Sequence, residues 1–390
     1  MSAAASCGGH AIHSLLDTVV PDMPEAQKPA DLAPLRILVV RTRFVGDTVL
    51  AIPFLRNLRR HFPAARIDVL VEKGAGSVLA DCPYLDELII APAAPRSRAP
   101  LAALRANAAW LRGRQYDRAY VLKRSVSSLL PVWLAGIPHR VGFAEQGGGM
   151  LLSRAVRIRE HRHEVEVFLD LLRADSIPID DGHNENWVAD EAGRKVDAIL
   201  RDRSPGRARV FVAPRSTAVE KEWPVERMAR VVAWLVVNRG CDVFFCGAPR
   251  DMGMHERIAA LAGHADTGRV HDLTKDLDLR HTGALLSRMD LCLGIDTGLL
   301  HVAASHGVPV VALFGPTDPN QWCPWGTPVE VLRSPRTVKP LSQRLHESLF
   351  PATVAGLRWP TGVADIRDID VDDVITAAEK LLAGRTRAAG

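Results

Sequence analysis

Asp47, Lys221 and Asp296 stand where apolar runs break into turns, and each brings a charge that a reaction could use. Asp47 ends the turn Thr42-Arg43-Phe44-Val45-Gly46-Asp47, directly after RILVVR (Arg36 to Arg41). A carboxylate there has two readings. It could cap the following helix, which stabilises it by about 1 kcal/mol. It could also face a cleft as a general base, since a hydroxyl nucleophile needs a proton acceptor. The stretch APRSTAVEKEWP, Ala213 to Pro224, follows a second apolar run. Its Ser216 and Thr217 hydroxyls, its backbone N–H groups and the Lys221 ammonium suit a phosphate, although composition alone equally suits a solvated loop.

The third stretch, GIDTGLLHVAASHGVPVVALFGPTDP, runs from Gly294 to Pro319. Its periodicity is that of a buried strand, a tight turn, a short amphipathic helix and a second buried strand. In such units ligands bind at the carboxyl ends of the strands, where helix N-termini offer free N–H groups to anions. Asp296 could accept hydrogen bonds from sugar hydroxyls, Thr297 and Gly298 could present N–H groups to a phosphate, and His301 could face the same anion. The other reading is a capped helix with a semi-buried histidine. Asp251, in FCGAPRD (Phe245 to Asp251), stands where α/β nucleotide binders often hold a ribose, or else caps the next helix.

Basic residues of the first half, Arg41, Arg43, Lys123, Arg124 and Arg140, fall at predicted strand ends. Converging on one cleft, they would suit a carboxylate- or phosphate-bearing acceptor. Asp276-Leu277-Asp278 and Asp368-Ile369-Asp370 have DxD form but follow no convincing strand, and His161 and His163 lack a ligand framework. No obligatory metal is expected. Neither half opens with GxGxxG and no P-loop is present, which argues against a dinucleotide-dependent dehydrogenase.

Positioning these residues takes two α/β series. In the first, strands are expected at Arg36 to Arg41, Arg66 to Val71, Leu88 to Ile90, Arg118 to Leu122 and Arg140 to Phe143. Those of the second are expected at Ala208 to Ala213, Cys241 to Cys246, Leu291 to Ile295, Val308 to Phe314 and Val329 to Leu332, with a closing helix from about Val371 to Leu382. The expected division is a flexible extension over 1–34, a first Rossmann-like domain over 35–182, an interdomain connection over 183–207, a second domain over 208–365 and a C-terminal helix over 366–390.

Forty-nine Lys and Arg against 45 Asp and Glu leave a formal +4, too small a charge to suggest a nucleic-acid partner. Six cysteines without a CxxC pair read as reduced thiols. No leader-like start or bilayer-spanning apolar run is evident, so a cytoplasmic protein is expected.

Four segments in order resemble the family 9 glycosyltransferases, the family of the lipopolysaccharide heptosyltransferases. They are ILVVRTRFVGDTVLAIPFLRNLRRHFP, LLPVWLAGIPHRVGF, APRSTAVEKEWP and GIDTGLLHVAASHGVPVVALFGPTDPNQW, within a match from about Leu35 to Leu382. The resemblance implies the GT-B architecture, two Rossmann-like domains facing across a cleft, with the closing helix crossing back to the first. It implies an inverting, metal-independent transfer of heptose from ADP-heptose to a lipopolysaccharide core, with no cofactor besides the donor. Asp47 would be the base, and Lys221, aided by Ser216 and Thr217, would neutralise the departing diphosphate. Asp296 would grip the donor sugar, and Thr297, Gly298 and His301 the phosphates. The glycan or glycolipid acceptor would meet Arg43, Lys123, Arg124 and Arg140, with peripheral contact at the inner membrane. Another nucleotide sugar or acceptor is the second reading. A non-catalytic nucleotide-sugar-binding scaffold is the third, against which the joint presence of Asp47, Lys221 and Asp296 weighs. The extension before Leu35 and the stretch after Pro316 to the final helix depart from the family pattern, the latter turning irregular over 337–362.

Overall fold

Two sheets of the same topology carry the molecule. A computed structural model of the chain describes residues 34–386 except 42, 73, 91–99, 160–161, 205, 264–267 and 339–362. The N-terminal extension, Thr42, His161 and most of the irregular region 337–362 therefore lie outside the described residues.

The first sheet is built from β1 (Arg36–Val40), β2 (Arg66–Val71), β3 (Glu87–Ile90), β4 (Arg118–Val121), β5 (His139–Phe143) and β6 (Arg154–Val156). Its order is β3-β2-β1-β4-β5-β6, with every pairing parallel. The helices of this half are α1 (Val45–Val49), α2 (Ile52–His61), α3 (Pro100–Gly113), α4 (Val126–Leu134) and α5 (Glu164–Ala174). The second sheet repeats the plan with β7 (Arg209–Ala213), β8 (Asp242–Phe245), β9 (Val270–Asp272), β10 (Leu291–Ile295), β11 (Val310–Phe314) and β12 (Val329–Arg333), in the order β12-β11-β10-β7-β8-β9. Its helices are α6 (Asp190–Arg203), α7 (Val225–Val237), α8 (Met252–Leu261), α9 (Leu279–Leu286), α10 (Gly298–Ser305), α11 (Pro319–Trp322) and α12 (Val371–Thr386). This is the GT-B architecture expected from the sequence.

Central strands such as β10 and β11 are buried along their whole length, which is why they read as unbroken apolar runs. Each sheet reverses its strand order at one place, between β1 and β4 and between β7 and β10. Ligands of open parallel sheets bind outside the carboxyl ends of the strands at such switch points. One hydrophobic cluster runs through both halves, from Val39 and Phe54 to Phe211 and Phe314.

Two expectations differ from the structure. The stretch read as a connection over 183–207 contains α6, which packs on α9 and buries Ala192, Val196 and Leu200. The closing helix α12 stays with the second half instead of crossing back, because Val374, Ala378 and Leu382 complete an apolar cluster with Val231, Leu235 and Leu293. Among the described residues no helix is long and apolar enough to cross a membrane, and Cys82, Cys241, Cys246, Cys292 and Cys323 are free thiols.

Candidate functional site

The chain leaves β1 and turns into α1 through Phe44, whose φ of 62° is rare for a bulky residue. Asp47 follows in the first turn of α1 and pairs with the Arg41 guanidinium at the end of β1. Its side chain caps no helix terminus, so the capping reading of Asp47 does not hold. Burial pushes its carboxyl up to about 6; neighbouring Arg41 opposes the shift and Glu164 adds to it. The result is a carboxylate that ionises within the range where a general base is useful.

Facing it from the second half is the turn after β10. Asp296, buried, accepts a hydrogen bond from Lys221 Nζ at 2.6 Å and one from Thr317 Oγ1 at 2.7 Å, both on Oδ2. Thr297 precedes α10 without a side-chain cap, which leaves the first N–H groups of that helix open to an anion. Gly46 packs on α10: a Cβ at Gly46 would stand 2.7 Å from His301 Cδ2. His301 is 4% exposed, with no partner for Nδ1. Burial drives its pKa down to about 4, so near neutral pH it is an uncharged imidazole. Toward an anion it could act only as a neutral N–H donor, not as an imidazolium.

Beside that turn opens a cavity of about 530 Å³. Ser216 and Thr217 line it after β7, Asp251 after β8, and Thr297 and Gly298 at α10, while Val45 reaches in from the first half. The Asp251 side chain does not cap α8: Oδ2 accepts the Ala248 N–H at 2.8 Å within the short turn Pro249–Asp251, while Oδ1, buried in the cavity wall without a hydrogen-bond partner, lies 3.6 Å from Arg215 Nε and 3.7 Å from Arg250 Nε. Ser216 Oγ accepts the Ala218 N–H at 3.3 Å, bracing the loop that carries Lys221.

The far wall was not read from the sequence. His255 on α8, Thr274 and Leu277 in the connection from β9 to α9, and Thr282 on α9 form it, none with a recognisable pattern. Also missed was Glu164, at the start of α5, which pairs with Arg124 and accepts Gln321 Nε2 at 3.0 Å. The acidic residue opening an amphipathic helix in HRHEVEVF was the available signal.

Of the basic residues, Arg124 and Lys123 sit by Asp47. Burial lowers the Lys123 pKa, and its charged neighbours include Glu72, Arg41, Arg43 and Asp47. Arg43 lies over the Phe44 ring and 3.7 Å from Glu72. Arg140 does not join them. It is the second residue of β5, at the opposite end of the sheet, and donates to the carbonyls of Leu151 at 2.7 Å and Pro138 at 3.1 Å. Asp278 caps α9 by accepting the His281 N–H at 3.0 Å, and Asp368 lies 3.2 Å from Arg336. Among the described residues no group of three or more His, Cys, Asp or Glu is placed to hold a metal ion.

Comparison with known proteins bears on the family and the fold. The model of glycosyltransferase family 9 (heptosyltransferase) matches residues 105–348. Lipopolysaccharide heptosyltransferase 2 of Escherichia coli is 24% identical over 317 residues, covering 77% of this chain and 88% of that protein. The lipopolysaccharide core heptosyltransferase OpsX of Haemophilus influenzae is 23% identical over 359 residues, covering 90% and 97%. The solved structure of E. coli ADP-heptose lps heptosyltransferase II superposes with a TM-score of 0.71 at 24% identity, covering 90% of this chain and all (100%) of that one.

Proposed function

Because the chain belongs to glycosyltransferase family 9, we propose that it transfers heptose from ADP-heptose to a lipopolysaccharide core acceptor, with inversion and without a metal. The relatives named above are heptosyltransferases of lipopolysaccharide, and one structure bears the name of ADP-heptose.

One observation carries the mechanism. Asp47, with a carboxyl ionising near 6, lies on one side of the meeting of α1 and α10, and the Lys221–Asp296 pair and the uncapped α10 lie on the other. Asp47 takes the proton of the acceptor hydroxyl. That oxygen attacks the anomeric carbon from the face opposite the diphosphate, and the bond from the anomeric carbon to the β-phosphate oxygen breaks. Lys221 and the N–H groups of α10 receive the growing negative charge, the work a metal ion would otherwise do. Asp296 holds sugar hydroxyls, and Asp251 Oδ1 accepts from the ribose in the 530 Å³ cavity. No cofactor besides the donor is needed.

The acceptor approaches from the first half, past Arg43, Lys123 and Arg124. A glycolipid acceptor would bring the enzyme to the cytoplasmic face of the inner membrane, and among the described residues no helix is long and apolar enough to cross it. Calorimetry of ADP, UDP, GDP and ADP-heptose, first without metal and then with magnesium, tests the donor assignment. ADP-selective binding indifferent to magnesium is expected; selectivity for UDP or GDP would move the enzyme to another donor.

A further inference from the structure

Glu164 is a buried carboxylate, 3% exposed, that the mechanism above does not use. It opens α5 in the first half, yet its partners come from both halves. Oε2 accepts from the Arg124 guanidinium, which follows β4, and from Gln321 Nε2 on α11 at 3.0 Å. The neighbouring His163 makes the same crossing: its Nε2 lies 2.7 Å from the Cys323 carbonyl, and its ring stacks on Trp325 at 4.3 Å. The first turn of α5 thus grips the segment 321–325 of the second half right beside the Arg41–Asp47 pair.

We infer that Glu164 is a positioning residue for transfer: held by Gln321 of the nucleotide-sugar half, it fixes Arg124 toward the acceptor and keeps a second negative charge beside Asp47. The inference rests on the transferase reading and adds to it a link between docking of the halves and readiness of the base.

The charged groups around Asp47 make the consequence specific. Arg41 faces it from β1, Lys123 and Arg124 from the segment after β4, and Glu164 from α5. The packed α10 contributes only the neutral His301, and the 3-10 turn Ala75–Leu79 carries no charge. Glu164 therefore opposes three cations, and its charge favours a protonated Asp47 until the pH rises through about 6. Glu164→Gln keeps the shape and removes that charge, leaving Arg124 to act on Asp47 unopposed.

The test uses the full-length chain with selectively labelled aspartate, following the Asp47 carboxyl by 13C NMR as pH varies. Asp47→Asn assigns the resonance. In Glu164→Gln the midpoint is expected to fall by ~1 pH unit, and the acid limb of kcat for ADP-heptose and a deacylated core acceptor to fall with it. Gln321→Ala, on the partly exposed rim, is expected to raise the acceptor KM about tenfold, the size of a lost hydrogen bond to a charged group, with ADP affinity unchanged. An Asp47 midpoint that stays put in Glu164→Gln, in a protein that still binds ADP, overturns the inference. Absence of turnover by the wild-type chain with any nucleotide sugar would overturn the underlying transferase reading instead, and the NMR titration tells the two failures apart.

Discussion

Gly46 and Gly298 meet backbone to backbone where the two halves touch: a Cβ on Gly298 would stand 2.9 Å from both the Gly46 nitrogen and Val45 Cβ. This contact sets α1, with Asp47, against α10, with the open N–H groups. A side chain larger than hydrogen has no room at either position.

Gly46→Ala is accordingly expected to destabilise the protein by about 1–3 kcal/mol, as overpacking does, and to reduce transfer. The added methyl would press on His301, which is buried and has little space to yield. Urea unfolding checks it; a midpoint equal to that of the wild type would show that α1 and α10 part readily.

If the Lys221 ammonium meets the diphosphate as proposed, Lys221→Ala should weaken ADP binding at least tenfold, about 1.4 kcal/mol. Asp296 would keep the Thr317 hydroxyl and add an unbalanced negative charge at the proposed phosphate site. Calorimetry with ADP reads this directly, and unchanged affinity would place the diphosphate elsewhere.

His301 and His306 both have pKa values held down to about 4 by burial. Between about pH 6.5 and 4 the unfolded chain therefore binds more protons than the folded one, and stability falls as pH falls through that window. Asp47, raised to about 6, acts in the opposite direction over part of the range. Two histidines against one carboxyl leave a net loss of stability on acidification. His306→Gln should flatten the slope of thermal stability between pH 4 and 6.5. An identical slope would mean that His306 is not buried as a neutral ring.

Arg140→Ala should lower thermal stability while leaving the acceptor KM unchanged, since its guanidinium braces backbone carbonyls at the far end of the sheet. Melting curves and acceptor titrations together separate the two roles. A raised acceptor KM with an unchanged melting temperature would return Arg140 to the acceptor site.

Which parts were legible follows from burial. Central strands such as Leu291–Ile295 are covered on both faces and read as apolar runs, and the turns after them read as sites because their polar residues interrupt those runs. The outer strands β6 and β9 escaped, being three residues each and only partly buried. Helix α6 was hidden by its polarity: four of its residues, Ala192, Gly193, Val196 and Leu200, are buried, and it follows an Asp- and Asn-rich lead-in. Arg140 misled because a residue at the start of a strand and one at its end look alike in sequence but lie on opposite sides of the sheet. The cavity's far wall and the Glu164–Gln321 link join residues far apart in the chain, and no local pattern announces such meetings.

Asp47 as the base is the claim on which the rest depends, and it is tested by measuring transfer from ADP-heptose to a lipopolysaccharide core acceptor by Asp47→Ala, alongside its ADP affinity. The account predicts a loss of at least about 100-fold in kcat with ADP binding intact. Turnover at the wild-type rate by Asp47→Ala would contradict it.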